Sequence, residues 1–202
     1  MTQRVEVVKK YSPDVLTDVL SIIEQSFPEY WEESGEISYY RGLLEHDDSI
    51  VILLREREKT VGCLIAAPQD FALREIKKYD PLMKKDNDRL YIDTLAIVPN
   101  YRKKFGYFML IIALLTEVRR RGICRFSMHL RVETGFNKRI QALFGKHITL
   151  SREVCWKWNH GEEKMEYVEA MFASSLLWRI RIILFIHRML SISKRLWYTG
   201  KR

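Results

Sequence analysis

Cysteine is scarce in this sequence. Cys63, Cys124 and Cys155 are the only three among 202 residues, odd in number and far apart. Such spacing supports neither a disulfide framework nor a zinc site, and a reducing compartment is expected. The five histidines show no metal-ligand spacing, so no metal is expected. Nowhere do about 18 apolar residues follow one another, which excludes a spanning helix. Met1 to Tyr11 is charged and lacks an apolar stretch of signal-peptide length. These absences together predict a cytoplasmic protein. Acidic residues are missing from one region: from Met171 onward there are seven of the 34 basic residues and none of the 26 acidic ones. The formal net charge of +8 therefore sits almost wholly in the tail, and the first 170 residues are within one charge of neutrality. That distribution argues against nucleic acid as the main domain's partner.

What is present is a chain able to fold. Hydrophobic residues make up 47% and charged residues 30%, and the length suits one ordinary domain with an appendage. Residues Arg4 to Lys10 alternate weakly and predict a strand. Ser12 and Pro13 open a helix that carries Val15, Leu16, Val19, Leu20, Ile22 and Ile23 at helical spacing. Phe27 to Ser38 reads as a loop rich in aromatics and acids. Ser49 to Arg55 and Thr60 to Ala67 read as a hairpin about a charged turn. Pro68 to Arg89 is polar and mixed, with a short helix around Phe71 to Tyr79. Leu90 to Val98 is a strand stopped by Pro99, and Phe108 to Val118 is a helix stopped at Arg119-Arg120-Arg121-Gly122. Arg125 to Leu130 is a strand, Thr134 to Phe144 a helix, and Ile148 to Trp158 pairs with Lys164 to Ala170. Strand–helix–strand–helix–strand implies an α/β fold with a partly parallel sheet.

One stretch has the layout of an anion site. A strand ends at Pro99, a basic loop Asn100-Tyr101-Arg102-Lys103-Lys104 follows, and Gly106 opens a helix. Free N–H groups and the positive helix end suit a pyrophosphate there. A solvated turn between strand and helix would show the same spacing. The stretch YIDTLAIVPNYRKKFGYFMLIIALL resembles motif A of the GNAT (Gcn5-related N-acetyltransferase) superfamily. ETGFNKRIQALFGK is similar to that family's next helix, in the same order and at roughly the same distance. The resemblance covers about residues 4 to 170. The glycine-rich loop departs from the family pattern: read from Lys103, it keeps Gly106 and has Phe108 at the last position.

The resemblance implies a mixed, partly parallel central sheet flanked by helices, with a C-terminal amphipathic helix added. It implies transfer of an acetyl group from acetyl-CoA to an amine, either a cationic small molecule or a protein amine. Leu95, Ala96, Ile97 and Val98 would hold the carbonyl and pantetheine through their backbone. Arg102, Lys103, Lys104, Phe105, Gly106, Tyr107 and Phe108 would cradle the pyrophosphate, and Asn137 and Phe144 would complete the cofactor site. Phe144 falls where the family often has a tyrosine that protonates the departing thiolate, and phenylalanine has no proton to give. Asp93 and Glu133 are the candidate bases. Alternation puts Asp93 on one face with Tyr91, Leu95 and Ile97; a buried structural aspartate fits the same position. Glu133 fits equally as a helix N-terminal carboxylate. In this family the acceptor is read by the loop after the first helix, here Glu29, Tyr30, Trp31 and Glu32, whose charge would attract a cation.

Residues 1–170 thus form the acyltransferase domain and 171–202 a basic helical tail. In that tail Arg181, Arg188 and Arg195 recur every seven residues beside a wide apolar face. The face suits an anionic membrane surface, leaving the protein cytoplasmic but peripheral to a membrane. It suits equally packing on the domain or a homodimer contact. Two rivals to the enzyme remain open: a degenerate GNAT-fold copy that binds CoA or a partner, and an RNA- or tRNA-directed acetyltransferase. The loop itself is testable. Lys103→Glu with Lys104→Glu should weaken acetyl-CoA binding tenfold or more, because attraction becomes repulsion beside a pyrophosphate. Unchanged affinity in calorimetry would remove the loop from the cofactor site.

Overall fold

The computed structural model describes residues 3–28, 33–102, 105–158, 161–178, 180 and 182. Its centre is a seven-stranded sheet in the order β1-β2-β3-β4-β5-β7-β6. The strands are β1 (Gln3–Val8), β2 (Ile50–Glu56), β3 (Lys59–Pro68), β4 (Arg89–Ile97), β5 (Arg125–Arg131), β6 (Ile148–Trp158) and β7 (Gly161–Met171). The helices are α1 (Pro13–Ser26), α2 (Glu33–Glu45), α3 (Gln69–Ile76), α4 (Gly106–Arg120) and α5 (Phe136–Phe144). The β4–β5 pair is parallel and all other described pairs are antiparallel.

The sheet is covered on both faces. On one, α4 and α5 lay Leu110, Ile111, Leu114, Ile140 and Leu143 over Ile52, Leu54, Leu64, Ile92 and Phe126. On the other, α1 and α2 lay Val19, Ile22 and Leu43 over Val51, Leu53, Cys63 and Ile65. A third cluster, Ala72, Ile76, Met83, Tyr91, Trp156, Met165 and Tyr167, packs α3 and the segment after it onto the same side as β4, β6 and β7. This is why β3 is buried along almost its whole length.

Local chemistry explains most of these elements. Ser12 caps α1 by accepting from the Val15 N–H at 3.3 Å, with Pro13 at the first position. The helix α4 ends in an arginine triplet, two of whose charges are engaged. Glu117 pairs with Arg120 and Arg121 at 2.5 and 2.8 Å, and Arg121 also donates to the Asp48 and Ser49 carbonyls. The helix α2 is the element that sequence patterning missed. Predicted as loop as far as Ser38, it is helical from Glu33, and among its described side chains Tyr40, Leu43 and Leu44 are the buried hydrophobic ones. Two glycines and two tyrosines dilute its periodicity. Gly42 is there because a side chain would press on the Phe71 ring, with 3.2 Å to the nearest atom.

The core continues into the tail. Phe172 donates its N–H to the Cys124 carbonyl at 2.7 Å, and residues 174–178 are helical. Leu176, Leu177 and Ile180 are 1%, 4% and 0% exposed and join the cluster under α4 and α5. Trp178 and Ile182 face outward. The rest of the amphipathic helix read from the sequence, with Arg181, Arg188 and Arg195, lies outside the described residues. Among the described residues no helix is long and apolar enough to cross a membrane. Leu176→Ala with Ile180→Ala should lower the melting temperature by roughly 10 °C or more, since each buried truncation costs about 2–5 kcal/mol. A thermal melt unchanged by the pair would mean that the contact contributes nothing.

Candidate active site

The parallel ladder between β4 and β5 runs from Arg89–Arg125 to Ile92–Met128 and ends there, although β4 continues to Ile97 and β5 to Arg131. Beyond Ile92 the two strands part. Asp93, Leu95 and Arg131, at the mouth of the gap, are half-buried, and the His129 side chain beside them is buried.

Asp93 stands at the vertex, and a β-bulge puts it there. The β3–β4 register shifts between Ile65–Thr94 and Ala66–Ile92, so Asp93 is the extra residue of β4. Leu90 and Ile92 face α4, as do Leu95 and Ile97, while Tyr91, Ala96 and Val98 face the other way. This corrects the simple alternation, which grouped Asp93 with Leu95 and Ile97. The helix α2 and the next residue of β4 supply the partners of its carboxylate. The Tyr39 hydroxyl donates to Oδ1, and Thr94 donates to Oδ2 at 2.7 Å. The Tyr40 hydroxyl lies 3.2 Å from Thr94 Oγ1. Burial raises the Asp93 carboxyl above the usual range, against the two donors that favour its charge. Burial, then the Asp93 charge, pushes Tyr39 well above 10.0.

Beside Asp93 lies a second set of groups that the sequence did not reveal. The Tyr91 hydroxyl is 2.9 Å from His129 Nδ1, and His129 Nε2 is 2.9 Å from Asp80 Oδ2. Arg152 donates to the same Asp80 oxygen at 2.5 Å. Burial would raise the Asp80 carboxyl, but hydrogen bonds from His129 and Arg152 hold it at about 2. Burial keeps His129 below 6.5 in spite of Asp80, so the imidazole is neutral at pH 7. The ring packs between Trp156 at 4.8 Å and Tyr167 at 4.9 Å. The only available signal was parity: His129 and Ser127 alternate along β5 with Phe126, Met128 and Leu130, which turn toward α4 and α5. Asp80 comes from the 68–89 stretch, which has no periodicity to read.

On the far side of the gap lie the cofactor candidates. After β4 comes a 3₁₀ turn, Pro99–Tyr101, then Arg102. The Arg102 guanidinium donates to the Ile97 carbonyl at 2.9 Å and the Ser26 carbonyl at 3.1 Å, tying the loop to the end of α1. Lys103 and Lys104 lie outside the described residues. The helix α4 opens at Gly106 with no side-chain cap, so its first N–H groups are open to an anion. A side chain at Gly106 would come within 2.3 Å of Leu54 Cδ2. The glycine is therefore required first by packing of the helix on β2. Tyr107 meets Phe108 and Phe136 edge-on, at 5.2 and 5.4 Å. Phe105 accepts the Met109 N–H at 3.1 Å. Asn137 donates to Glu166 at 2.9 Å, and its own carbonyl oxygen is buried without a partner. Phe144 is 1% exposed and packs edge-on against Phe126 in the core. The open edge of Leu95 to Val98, the uncapped α4 and the orphaned Asn137 oxygen all fit a ligand with amide groups and a pyrophosphate.

Glu133 is exposed in the turn between β5 and α5. It lies outside the helix, which opens later than the sequence predicts because Gly135 takes a left-handed φ of 66° at the cap. Glu29, Tyr30, Trp31 and Glu32 lie outside the described residues. Before them, Phe27 lies 4.7 Å beneath the Arg131 guanidinium, which pairs with Glu163 at 3.1 Å.

Solved structures share this architecture. The Escherichia coli ribosomal-protein-S18-alanine N-acetyltransferase has a TM-score of 0.61 at 13% identity, covering 85% of this chain and 95% of that one. Arabidopsis thaliana NAA60 in complex with acetyl-CoA scores 0.62 at 15%, covering 85% and 99%. Ard1 from Thermoplasma volcanium scores 0.59 at 14%, covering 86% and 100%. At such identities the likeness is one of fold. No relative of curated function matches the sequence. The model of the acetyltransferase (GNAT) family matches residues 16–148, well over half of the chain. With that match laid over the parted β4–β5 pair, the chain belongs to the GNAT acetyltransferase family, whose cosubstrate is acetyl-CoA.

Proposed function

We propose that this protein is an N-acetyltransferase whose acceptor, a protein amine or a cationic small molecule, meets Asp93 at the vertex of the parted strands. The observation that carries this reading is the cluster of proton-bearing groups, Asp93, Tyr91 and His129, where β4 and β5 separate. Bound acetyl-CoA supplies an activated acetyl group on a thioester. The protein must then attract an ammonium, remove one proton, and keep the amine in place.

Asp93 suits the first task. It is half-buried and fixed by hydrogen bonds from Tyr39 and Thr94, which favour its charged form against burial. In a poorly solvated site its charge acts on an ammonium more strongly than in water. Tyr91 and His129 suit the second. A neutral imidazole bonded to a phenol can take a proton that leaves the amine through the phenol or through water. We infer that Leu95 to Val98, the α4 N-terminus and Asn137 hold the cosubstrate on the opposite face. Glu133, exposed outside the gap, is the weaker candidate for a base. The names of two neighbours fit a protein amine: one acetylates a ribosomal-protein alanine, and another is a complex bound to a peptide.

A second reading, a CoA-binding protein without turnover, is favoured by Phe144. Its side chain lies in the core and offers the departing thiolate no proton. Arg120 and Arg121, both paired with Glu117, give RNA no comparable support.

Calorimetry with acetyl-CoA and turnover on an amine panel separate these readings. Binding without turnover on any amine selects the second. Given turnover, Asp93→Asn should raise KM for a cationic acceptor about tenfold. His129→Gln should lower kcat by roughly 100-fold or more, the usual size of a general-base effect. Both variants should bind acetyl-CoA like the parent. Unchanged kinetics in a folded His129→Gln protein would remove the imidazole from the reaction.

A further inference from the structure

We propose that Asp80 is a positioning residue for His129, and that the β3–β4 connection exists in this chain to deliver it. The proposal rests on the acetyltransferase reading above. It assigns a role to a segment that neither the family match nor the site's own strands explain.

The connection is strapped down at several points. Gln69, at the start of α3, receives a hydrogen bond from Ser127 of β5 at 2.5 Å and donates to the Lys84 carbonyl at 2.7 Å. Asp86 pairs with Arg125 of β5 at 3.0 Å and with Arg89 of β4 at 3.3 Å. Tyr79 stacks on Trp156 at 5.1 Å, and Met83 is buried beside it. Between these ties Asp80 turns inward, and its side chain is 1% exposed. Its own backbone is fixed, since the Asp80 N–H donates to Ile76 and the Met83 N–H donates back to Asp80, at 2.9 and 3.1 Å.

Each carboxylate oxygen has a task. Oδ1 accepts the Leu82 N–H at 3.2 Å, which locks the rotamer. Oδ2 accepts from His129 and Arg152. A carboxylate only accepts, so His129 must carry its proton on Nε2. A neutral ring then has Nδ1 left as an acceptor, aimed at the Tyr91 hydroxyl. Hydroxyl, imidazole and carboxylate thus stand in the order used where a base must be held in one tautomer. Arg152 keeps Asp80 ionised from the far side. A merely structural ion pair between Asp80 and Arg152 would not need the imidazole between Asp80 and Tyr91.

The groups facing the imidazole are Asp80 from the connection, Tyr91 from β4, Arg152 from β6 and Tyr167 from β7, with the Trp156 ring alongside. Asp80 raises the affinity of His129 for a proton, while burial and Arg152 lower it. Replacing Asp80 by Asn removes the raising influence. The sign follows: the acid limb of kcat, where protonated His129 cannot act, should move to lower pH. Loss of a mere scaffold contact would lower the melting temperature without moving that limb.

The test uses the full chain, wild type and Asp80→Asn, with melts as the folding control. In wild-type protein at pH 7, long-range proton–nitrogen spectra should show His129 neutral with its proton on Nε2. The signal is assigned by its loss in His129→Gln. In Asp80→Asn the tautomer should become mixed, kcat should fall by about 100-fold or more, the size of a general-base effect, and the acid limb should shift down. Asp80→Glu, which keeps the carboxylate, should recover part of kcat. A wild-type ring protonated on Nδ1, or charged at pH 7, overturns the proposal, and it does so even if Asp80→Asn fails to fold. So does a folded Asp80→Asn protein with parental kcat and acid limb. A wild type that turns over no amine sinks the acetyltransferase reading instead, while the spectra still decide whether Asp80 sets the tautomer.

Discussion

Four rungs of parallel pairing, from Arg89–Arg125 to Ile92–Met128, join the two antiparallel halves of the sheet. Everything functional depends on that ladder being short. A parallel pair has no hairpin to close it, so its length is set by what fills the space beyond it. Here the strands part beyond Ile92–Met128, and their backbone groups in the gap are not used by each other. The halves are kept in register by side chains as well. Tyr91 reaches His129, Arg89 pairs with Glu169 of β7, and Gln69 holds Ser127. The first of these lies at the mouth of the gap, and the other two lie along the paired stretch.

The two faces of the sheet then divide the work. The α4–α5 face offers an uncapped helix start and an unsatisfied amide oxygen, groups that suit phosphate and amide. The α1–α3 face offers hydroxyls, carboxylates and an imidazole, groups that suit an amine and its proton. Arg102 connects the sides by holding the basic loop before α4 to the last carbonyl of α1. Its hydrogen bonds to two backbone carbonyls fix the start of that loop before any ligand arrives.

Much of this was legible in the sequence because the relevant signals are local. The Ser12-Pro13 helix start, the charged turn of the β2–β3 hairpin, and the strand–basic loop–glycine–helix sequence around Gly106 are each encoded within a few residues. What escaped was either non-periodic or non-local. The helix α2 has a narrow buried face interrupted by glycines. Asp93 was singled out, but its orientation depends on a bulge, which is a property of pairing with β3 and leaves no mark in β4 alone. Asp80 and His129 are 49 positions apart and meet because the connection folds back across β5. Phe144 was read as a cofactor contact by analogy, yet its neighbours make it core.

The bulge gives β4 two phases. Before Asp93 the even-numbered residues face α4; after it the odd-numbered ones do. The strand is thus sensitive to register as well as to composition. Pairing β4 with β3 without the bulge, with Asp93 taken into the ladder, would restore plain pleating and turn Leu95 and Ile97 out of the α4 core, while Ala96 and Val98 took their places. No residue would have changed and every local propensity would still be satisfied. The strand would nonetheless be wrong from its midpoint onward, in the manner of a frame shift carried by geometry rather than by codons.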